Sequence, residues 1–312
     1  MKDFLVSVII PVYNEEQNIQ PLLDRLTPVL ESYRHEIIIV DDGSTDQTAG
    51  AIKKLLKKRE LKYIALQRNF GHQMALSCGY AHAAGDVVIS MDADLQDPPE
   101  LLPQMIAAWQ AGSMIVYAQR NEREGESKMK QWTAKLFYRF INALSDTAIP
   151  SDVGDFRLLD RTVVDFLNGL PEQSRFYRGL VAWGGFPSTA IRFKRERRLQ
   201  GRTHYTLSKM MNLALDGVTS FSVRPLRAAT LLGFWSAILG FLGIIYALIG
   251  KFLRPPFFPH DWVTGWTGLF VGIMFLGGIQ LLTIGIIGEY IGKIFTQVQQ
   301  RPRYIVKETV NL

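Results

Sequence analysis

Asp92 and Asp94 sit in the run Ser90-Met91-Asp92-Ala93-Asp94-Leu95-Gln96-Asp97-Pro98-Pro99-Glu100, directly after the apolar, β-branched Val87-Val88-Ile89. The apolar run reads as a buried strand and the prolines as a helix start. Carboxylates two residues apart leave the same face of a continuing strand, and they converge if the chain turns at Ala93. Converged, they make a hard-oxygen site for Mg²⁺ or Mn²⁺, ions that commonly keep open positions for substrate phosphates. Asp94 is the expected chief ligand, with Asp92 and Gln96 assisting. Taken alone, such a pair also fits a solvated acidic loop, so its surroundings decide.

Two more strand ends carry polar residues. Glu36-Ile37-Ile38-Ile39-Val40 delivers Asp41-Asp42-Gly43-Ser44-Thr45-Asp46 into a turn, and Val6-Ser7-Val8-Ile9-Ile10 ends in Pro11-Val12-Tyr13-Asn14-Glu15-Glu16. Each is followed by a helical pattern, which is the βαβ rhythm of a parallel sheet. Ligands of open α/β sheets bind outside the carboxyl ends of the strands. Asn14, Asp41, Asp42, Asp92 and Asp94 are therefore expected to rim one crevice. No Gly-x-Gly-x-x-Gly opens the first helix, which argues against a dinucleotide grip, and an acidic crevice that holds a diphosphate needs a metal between them.

Four motifs together resemble the family 2 glycosyltransferases: Pro11-Val12-Tyr13-Asn14-Glu15, Asp41-Asp42-Gly43-Ser44-Thr45-Asp46, Arg68-Asn69-Phe70-Gly71-His72-Gln73 and the segment from Asp92 to Glu100. Within that family the chain is similar to the polyprenyl-phosphate enzymes, dolichol-phosphate mannose synthases and above all bactoprenol glucosyltransferases. The Gly288-Glu289-Tyr290-Ile291-Gly292 ending extends the resemblance over nearly the whole chain. The resemblance implies a GT-A-like, mostly parallel α/β domain that binds a nucleotide sugar through Pro11, Tyr13, Asn14, Glu15, Asp41, Asp42, Arg68 and Asp92. Asn14 and Asp41 would bond the base and ribose. Asp94, Asp155 and Arg202 would form the catalytic set, with Asp155 on a sugar hydroxyl or in a structural role rather than as a base.

Distribution of apolar residues adds a membrane. Residues 228–250 and 263–288 are uncharged runs in a chain of 312 residues that is 47% hydrophobic, and each exceeds the roughly 20 residues that cross a bilayer. Buried core helices are the alternative. Arg224 and Arg227 precede the first run, and Lys293, Arg301, Arg303 and Lys307 follow the second. Basic flanks favour the cytoplasmic side, which puts both termini and the catalytic domain inside and the Pro-rich connection outside an inner, multi-pass membrane. Phe4 to Ile10 is broken by Pro11 and reads as a strand rather than a signal peptide. The expected organisation is a catalytic domain at 1–204, a juxtamembrane amphipathic helix at 205–227, a two-helix hairpin at 228–292 and a tail at 293–312. Gly268-x-x-x-Gly272 and Gly288-x-x-x-Gly292 would allow close packing in a homo-oligomer. Residues 127–144 fit either an interfacial helix or one packed on the sheet. Cys78, the single cysteine, reads as a small buried side chain in a helix.

A net charge of +6 and a pI near 9.3 suit an anionic partner. No nucleic-acid module appears, and a lipid bilayer already accounts for the basic residues. A polyprenyl phosphate acceptor, as the resemblance implies, is largely a dianion at neutral pH, so it needs cations to position it and no general base. Arg202, within the basic stretch from Arg192, and Arg120 and Arg139 are the candidate phosphate ligands. For each, a solvated surface arginine is the competing reading. Gly201-Arg202-Thr203-His204-Tyr205 matches the family's Gly-x-Ser-Lys-Tyr pattern only in part. His72 and His204 have no second His or Cys at metal spacing. Attack by phosphate opposite the leaving group predicts inversion. UDP-glucose is the favoured donor by resemblance; GDP-mannose, UDP-N-acetylglucosamine and a UDP-aminoarabinose derivative remain alternatives. A processive polysaccharide synthase would carry Gln-x-x-Arg-Trp, which is absent, and a flippase of lipid-linked sugar would leave the acidic crevice unexplained.

Overall fold

The computed structural model describes residues 3–120, 153–173, 175–193, 222–252 and 266–312. Eight strands, Leu5–Val12 (β1), Arg34–Asp41 (β2), Lys62–Leu66 (β3), Val87–Ser90 (β4), Ile115–Arg120 (β5), Val153–Asp160 (β6), Ser188–Phe193 (β7) and Val306–Val310 (β8), form one sheet. Their spatial order is β7-β5-β6-β4-β1-β2-β3-β8. The sequence rhythm is thereby borne out: β1 pairs in parallel with both β2 and β4, and β2 with β3. Strands of such a sheet are covered on both faces, hence their unbroken β-branched runs; from Val6 onward every residue of β1 is buried.

Helices Ile19–Leu30 (α1), Thr48–Leu56 (α2), His72–His82 (α3) and Leu102–Gln110 (α4) follow β1 to β4. Ile19, Leu22, Leu23, Leu26 and Leu30 of α1 recur on one face and are buried in the core. α3 lies so close to β1 that a Cβ on Gly79 would stand 2.2 Å from Ile9 Cγ2. Cys78 is buried beside it, as expected.

Antiparallel β6 breaks the parallel rhythm. It pairs with β4 so that Ser90 faces Arg157; extending that register two residues brings Asp155 opposite Asp92. Arg161–Gly169 (α5) follows β6, its Asp160 N-cap accepting a bond from the Thr162 amide at 2.9 Å. A short helix, Tyr177–Trp183 (α6), then leads into β7.

Arg224–Phe252 (α7) and Trp266–Gln299 (α8) belong to a second unit. Pro225 stands in the first turn of α7, where a missing amide costs nothing. Stretches Arg224–Gly243 and Gly272–Gln299 are long and apolar enough to span a bilayer, and none of the second is buried. That exposure removes the buried-core alternative. The tail expected from residue 293 has a different form: α8 runs on to Gln299, and β8 completes the sheet by pairing antiparallel with β3. Asn311 Nδ2 bonds the Leu61 carbonyl at 3.1 Å, and Lys53 pairs with Glu308 at 2.7 Å. Of the expected juxtamembrane helix at 205–227, residues 205–221 lie outside the described residues, as do the 127–144 helix and the connection at 253–265, while Arg224 to Arg227 already belong to α7.

Candidate active site

Val12 and Asp41 end neighbouring parallel strands in register, and the chain beyond each is tied to the other. Asn14, at φ 56°, donates its amide to Ser44 Oγ at 3.0 Å and accepts the Thr45 amide on Oδ1 at 2.8 Å. Asp41 accepts the Ser44 amide at 2.8 Å and the Tyr63 hydroxyl at 3.0 Å. Asp42 accepts the Phe70 and Gly71 amides at 2.7 and 2.9 Å, fixing the loop that carries Arg68. Gly43 is required there, since a Cβ would lie 2.5 Å from the Arg68 carbonyl carbon at a φ of +69°. Glu15 takes a bond from Asn18 at 2.5 Å and gives its amide to Thr48 Oγ1. Pro11 is buried while Tyr13 is exposed at the same strand end. Arg68 lies over the Phe70 ring, 4.4 Å from its centroid.

At the end of β4 the chain turns at Ala93 and Asp94, as the convergence of Asp92 and Asp94 requires. Leu95 takes a φ of 62°, and the Gln96 amide bonds back to Asp94 Oδ1 at 3.1 Å. The Asp92 amide bonds Asp97 Oδ2 at 3.2 Å. Partial burial, followed by the charges of Asp155 and Asp94, pushes the Asp92 carboxyl upward against the pull of His72. Acidic oxygens that raise one another's proton affinity are a donor set suited to a hard divalent cation. Among the described residues no three His, Cys, Asp or Glu side chains gather as a metal group. An ion held at this turn by Asp94 and Asp92 would leave its remaining positions to substrate oxygens and water.

Asp155 is the second centre. Its carboxylate receives Arg157, Arg178 Nη2 at 3.0 Å, Arg178 Nε at 3.4 Å and Gln73 Nε2 at 3.3 Å. His72 Nε2 stands 3.4 Å from Asp155 and 3.7 Å from Asp92. Burial works to raise the Asp155 pKa, but Arg178, His72 and Arg157 together hold it well below the usual carboxylate range. A carboxylate so held is a permanent anion and a poor base. For His72, burial opposes the charge, and the Asp155 bond and the Asp92 charge prevail, raising it to about 9. With 41% of its side chain exposed, solvent tempers this pull.

The structure thus places Asn14, Asp41, Asp42, Asp92 and Asp94 at the carboxyl ends of the central strands β1, β2 and β4, with Asp155 of β6 beside Asp92. Arg120 closes β5, whereas Arg139 and Arg202 lie outside the described residues. Sequence reasoning quoted His72 and Gln73 in a motif and weighed His72 only as a metal ligand, and it assigned no role to Arg157 or Arg178. A histidine directly after a glycine at a helix start was the available signal for the first; nothing local marks the arginines.

The glycosyl transferase family 2 model matches residues 7–167. An uncharacterized glycosyltransferase of Synechocystis sp. is 45% identical over 309 residues, covering 97% of this chain and 95% of that one. The SfII prophage-derived bactoprenol glucosyl transferase of Shigella flexneri is 39% identical over 307 residues, covering 97% and 98%. Glucosyl-3-phosphoglycerate synthase from Mycobacterium tuberculosis, solved with Mn²⁺, UDP and glucosyl-3-phosphoglycerate, shares the fold. Its TM-score is 0.51 at 17% identity, over 70% of this chain and 78% of that one. The acidic strand ends, the GT-A-like sheet and relatives aligned over nearly their full length agree: this chain is a glycosyltransferase, and it belongs to glycosyl transferase family 2.

Proposed function

We propose that this enzyme transfers glucose from UDP-glucose, with inversion, to polyprenyl (undecaprenyl) phosphate at the cytoplasmic face of the inner membrane. The observation that carries the reading is the pair Asp92 and Asp94 turned together at the end of β4, beside an Asp155 that is held as an anion. A near-full-length relative named as a bactoprenol glucosyl transferase supports the acceptor and the sugar, and two exposed apolar helices support the membrane.

Asn14 and Asp41 orient the base and ribose, and Asp42 acts through the loop bearing Arg68 and Phe70. A divalent cation, Mg²⁺ or Mn²⁺, held by Asp94 and Asp92 would offset the charge that builds on the departing diphosphate. Asp155, an anion too weakly basic to take a proton at neutral pH, holds His72 and Arg178 in place in a structural role. The phosphate nucleophile arrives already ionised, so attack opposite the leaving group needs no base and no covalent sugar–enzyme intermediate. Arg202, Arg120 and Arg139 supply the cations that bring two anionic substrates together. Both termini are cytoplasmic, and the glycine-spaced helices associate copies of the chain.

A panel of nucleotide sugars offered to the protein in vesicles containing polyprenyl phosphate tests the reading. Glucose should enter the lipid fraction from UDP-glucose in preference to the other donors. Equal or better transfer of mannose or N-acetylglucosamine overturns the donor assignment, and release of free sugar without lipid product overturns the acceptor. In an Arg202→Ala variant the apparent KM for polyprenyl phosphate should rise while donor affinity stays near that of the parent.

A further inference from the structure

The C-terminal segment packs behind the Asp155 centre. Residues 303–310 follow α8 in the chain, after a break at Gln300 (φ 47°). Arg303 Nη2 donates to the Leu170 carbonyl at 2.8 Å, the same oxygen that Arg175 Nη2 bonds at 2.6 Å. The neighbouring Tyr304 lies beside the buried Cys78 of α3, and the Gln67 amide bonds the Ile305 carbonyl at 2.8 Å. One short stretch therefore clamps the exit of α5, the body of α3 and the end of β3.

What it clamps leads to the site. Seven residues after Leu170 comes Tyr177, fully buried, whose ring meets Tyr80 of α3 edge-on at 5.0 Å. The Tyr177 amide bonds Gln73 Oε1 at 3.0 Å, and its carbonyl accepts from Arg157 at 3.3 Å. Gln73, Arg157 and the next residue, Arg178, all bond Asp155. Tyr80 reaches the same point by another path, through Ser90 at 3.0 Å to the Asp155 carbonyl at 2.5 Å. Among the described residues this interior is short of hydrogen bonds of its own: the Tyr177 hydroxyl, Arg175 Nε and Arg157 Nε are buried with no partner there. A partly satisfied buried network takes its geometry from what packs against it.

We propose that Arg303 and Tyr304 are positioning residues of the active site, acting through Leu170, Cys78 and Tyr177 on Arg178 and Asp155. They touch no reacting atom. Because their segment links α8 to β8, the stretch that leads into the strand completing the sheet also sets the anionic centre.

The test uses the full-length protein in vesicles and rests on the glycosyl-transfer reading only for its kinetic arm. Arg303→Ala and Tyr304→Phe should lower kcat by roughly ten- to a hundredfold, the range expected when reacting groups are misplaced by about 1 Å. Donor affinity, measured by UDP calorimetry, should stay unchanged, since Asn14 and Asp41 are untouched. Arg303→Lys, which can still donate to one carbonyl, should recover part of the rate. Hydrogen exchange of the peptide spanning 171–178 should quicken in both variants with the melting temperature held within a few degrees. Lys53→Ala, which removes the exposed pair on β8, is the control and should change neither readout. Parent-like kcat and parent-like exchange overturn the proposal, and so does a loss of rate matched by equal losses of donor stoichiometry and melting temperature. A parent that fails to glycosylate polyprenyl phosphate defeats the functional reading instead, and the exchange measurement still decides the inference.

Discussion

The carboxylates at the ends of β2 and β4 and the carboxylate of Asp155 on β6 are held in place by opposite means. Asp41, Asp42 and Asp94 accept backbone amides from loops that begin where their own strands stop: Ser44, Phe70 with Gly71, and Gln96. Amide dipoles steady a carboxylate without cancelling its charge, so a divalent cation still has something to bind. Asp155 is surrounded by full positive charges from Arg157 and Arg178 and by His72. Its charge is already spent. The first arrangement suits a group that must recruit an ion with its substrate, and the second suits a fixed post around which side chains are set.

Asp155→Asn is the harshest way to break this comparison. It leaves the fully buried Arg157 and the partly buried Arg178 without their anion, and orphaning a buried charge costs about 3–5 kcal/mol. Chemical denaturation should show that loss, and transfer should disappear with it. Asp94→Asn should instead leave folding near that of the parent while transfer falls on the order of 10²–10³-fold, the cost of one lost stabiliser of developing charge. Chelation of the parent by EDTA should reproduce the Asp94 result. If the two variants lose stability equally, the two centres are not built on different principles.

Acid separates them further. Asp155 has a folded pKa below its ordinary value of about 4. Its stabilising contribution is therefore present above about pH 4 and drains as pH falls toward the folded value. His72 is raised to about 9, so its contribution is full below about pH 6.5 and is lost as pH climbs through 9. Denaturant midpoints followed from pH 2 to 10 should fall at both ends. In Asp155→Asn the acid limb should flatten, and the alkaline limb should shrink because His72 loses its partner.

The same contrast explains what the sequence could disclose. Asp41, Asp42, Asp92 and Asp94 stand beside the strands that present them, in turns whose partners are a few residues away or in the next strand end. Local pattern therefore marked the turns that carry them as candidates, together with the parallel strands β1 to β4 and the long apolar helices. The Asp155 centre joins residues 72–73, 155–157 and 177–178, a closure that only the folded sheet performs. Arg157 and Arg178 sit in segments where an arginine reads as a solvated charge, because its burial depends on partners from elsewhere. β8 is a related case. Val306, Glu308 and Val310 turn to the partly buried face while Lys307 and Thr309 are exposed, a period of two that five residues of tail make too brief to separate from chance. Its pairing with β3 follows from an edge left open 240 residues earlier.

The gentlest probe lies on the amide-held side. Tyr63, buried on β3, gives its hydroxyl to Asp41 Oδ2 at 3.0 Å, and burial followed by the Asp41 charge drives the phenol upward, so it stays a donor at every working pH. Tyr63→Phe deletes that one bond and leaves the Ser44 amide on Oδ1. A hydrogen bond to a charged group is worth about 1.5–3 kcal/mol, and the ring itself is conserved, so the loss should sit at the low end of that range. On the role proposed for Asp41 in orienting the donor, part of the loss should appear as weaker UDP binding by calorimetry, roughly three- to tenfold, with kcat on saturating donor almost unchanged. A larger fall in kcat than in donor affinity would mean that Asp41 shares the work assigned to the cation-binding pair. An unchanged affinity would mean that the Ser44 amide alone sets its geometry, which would sharpen the contrast with Asp155.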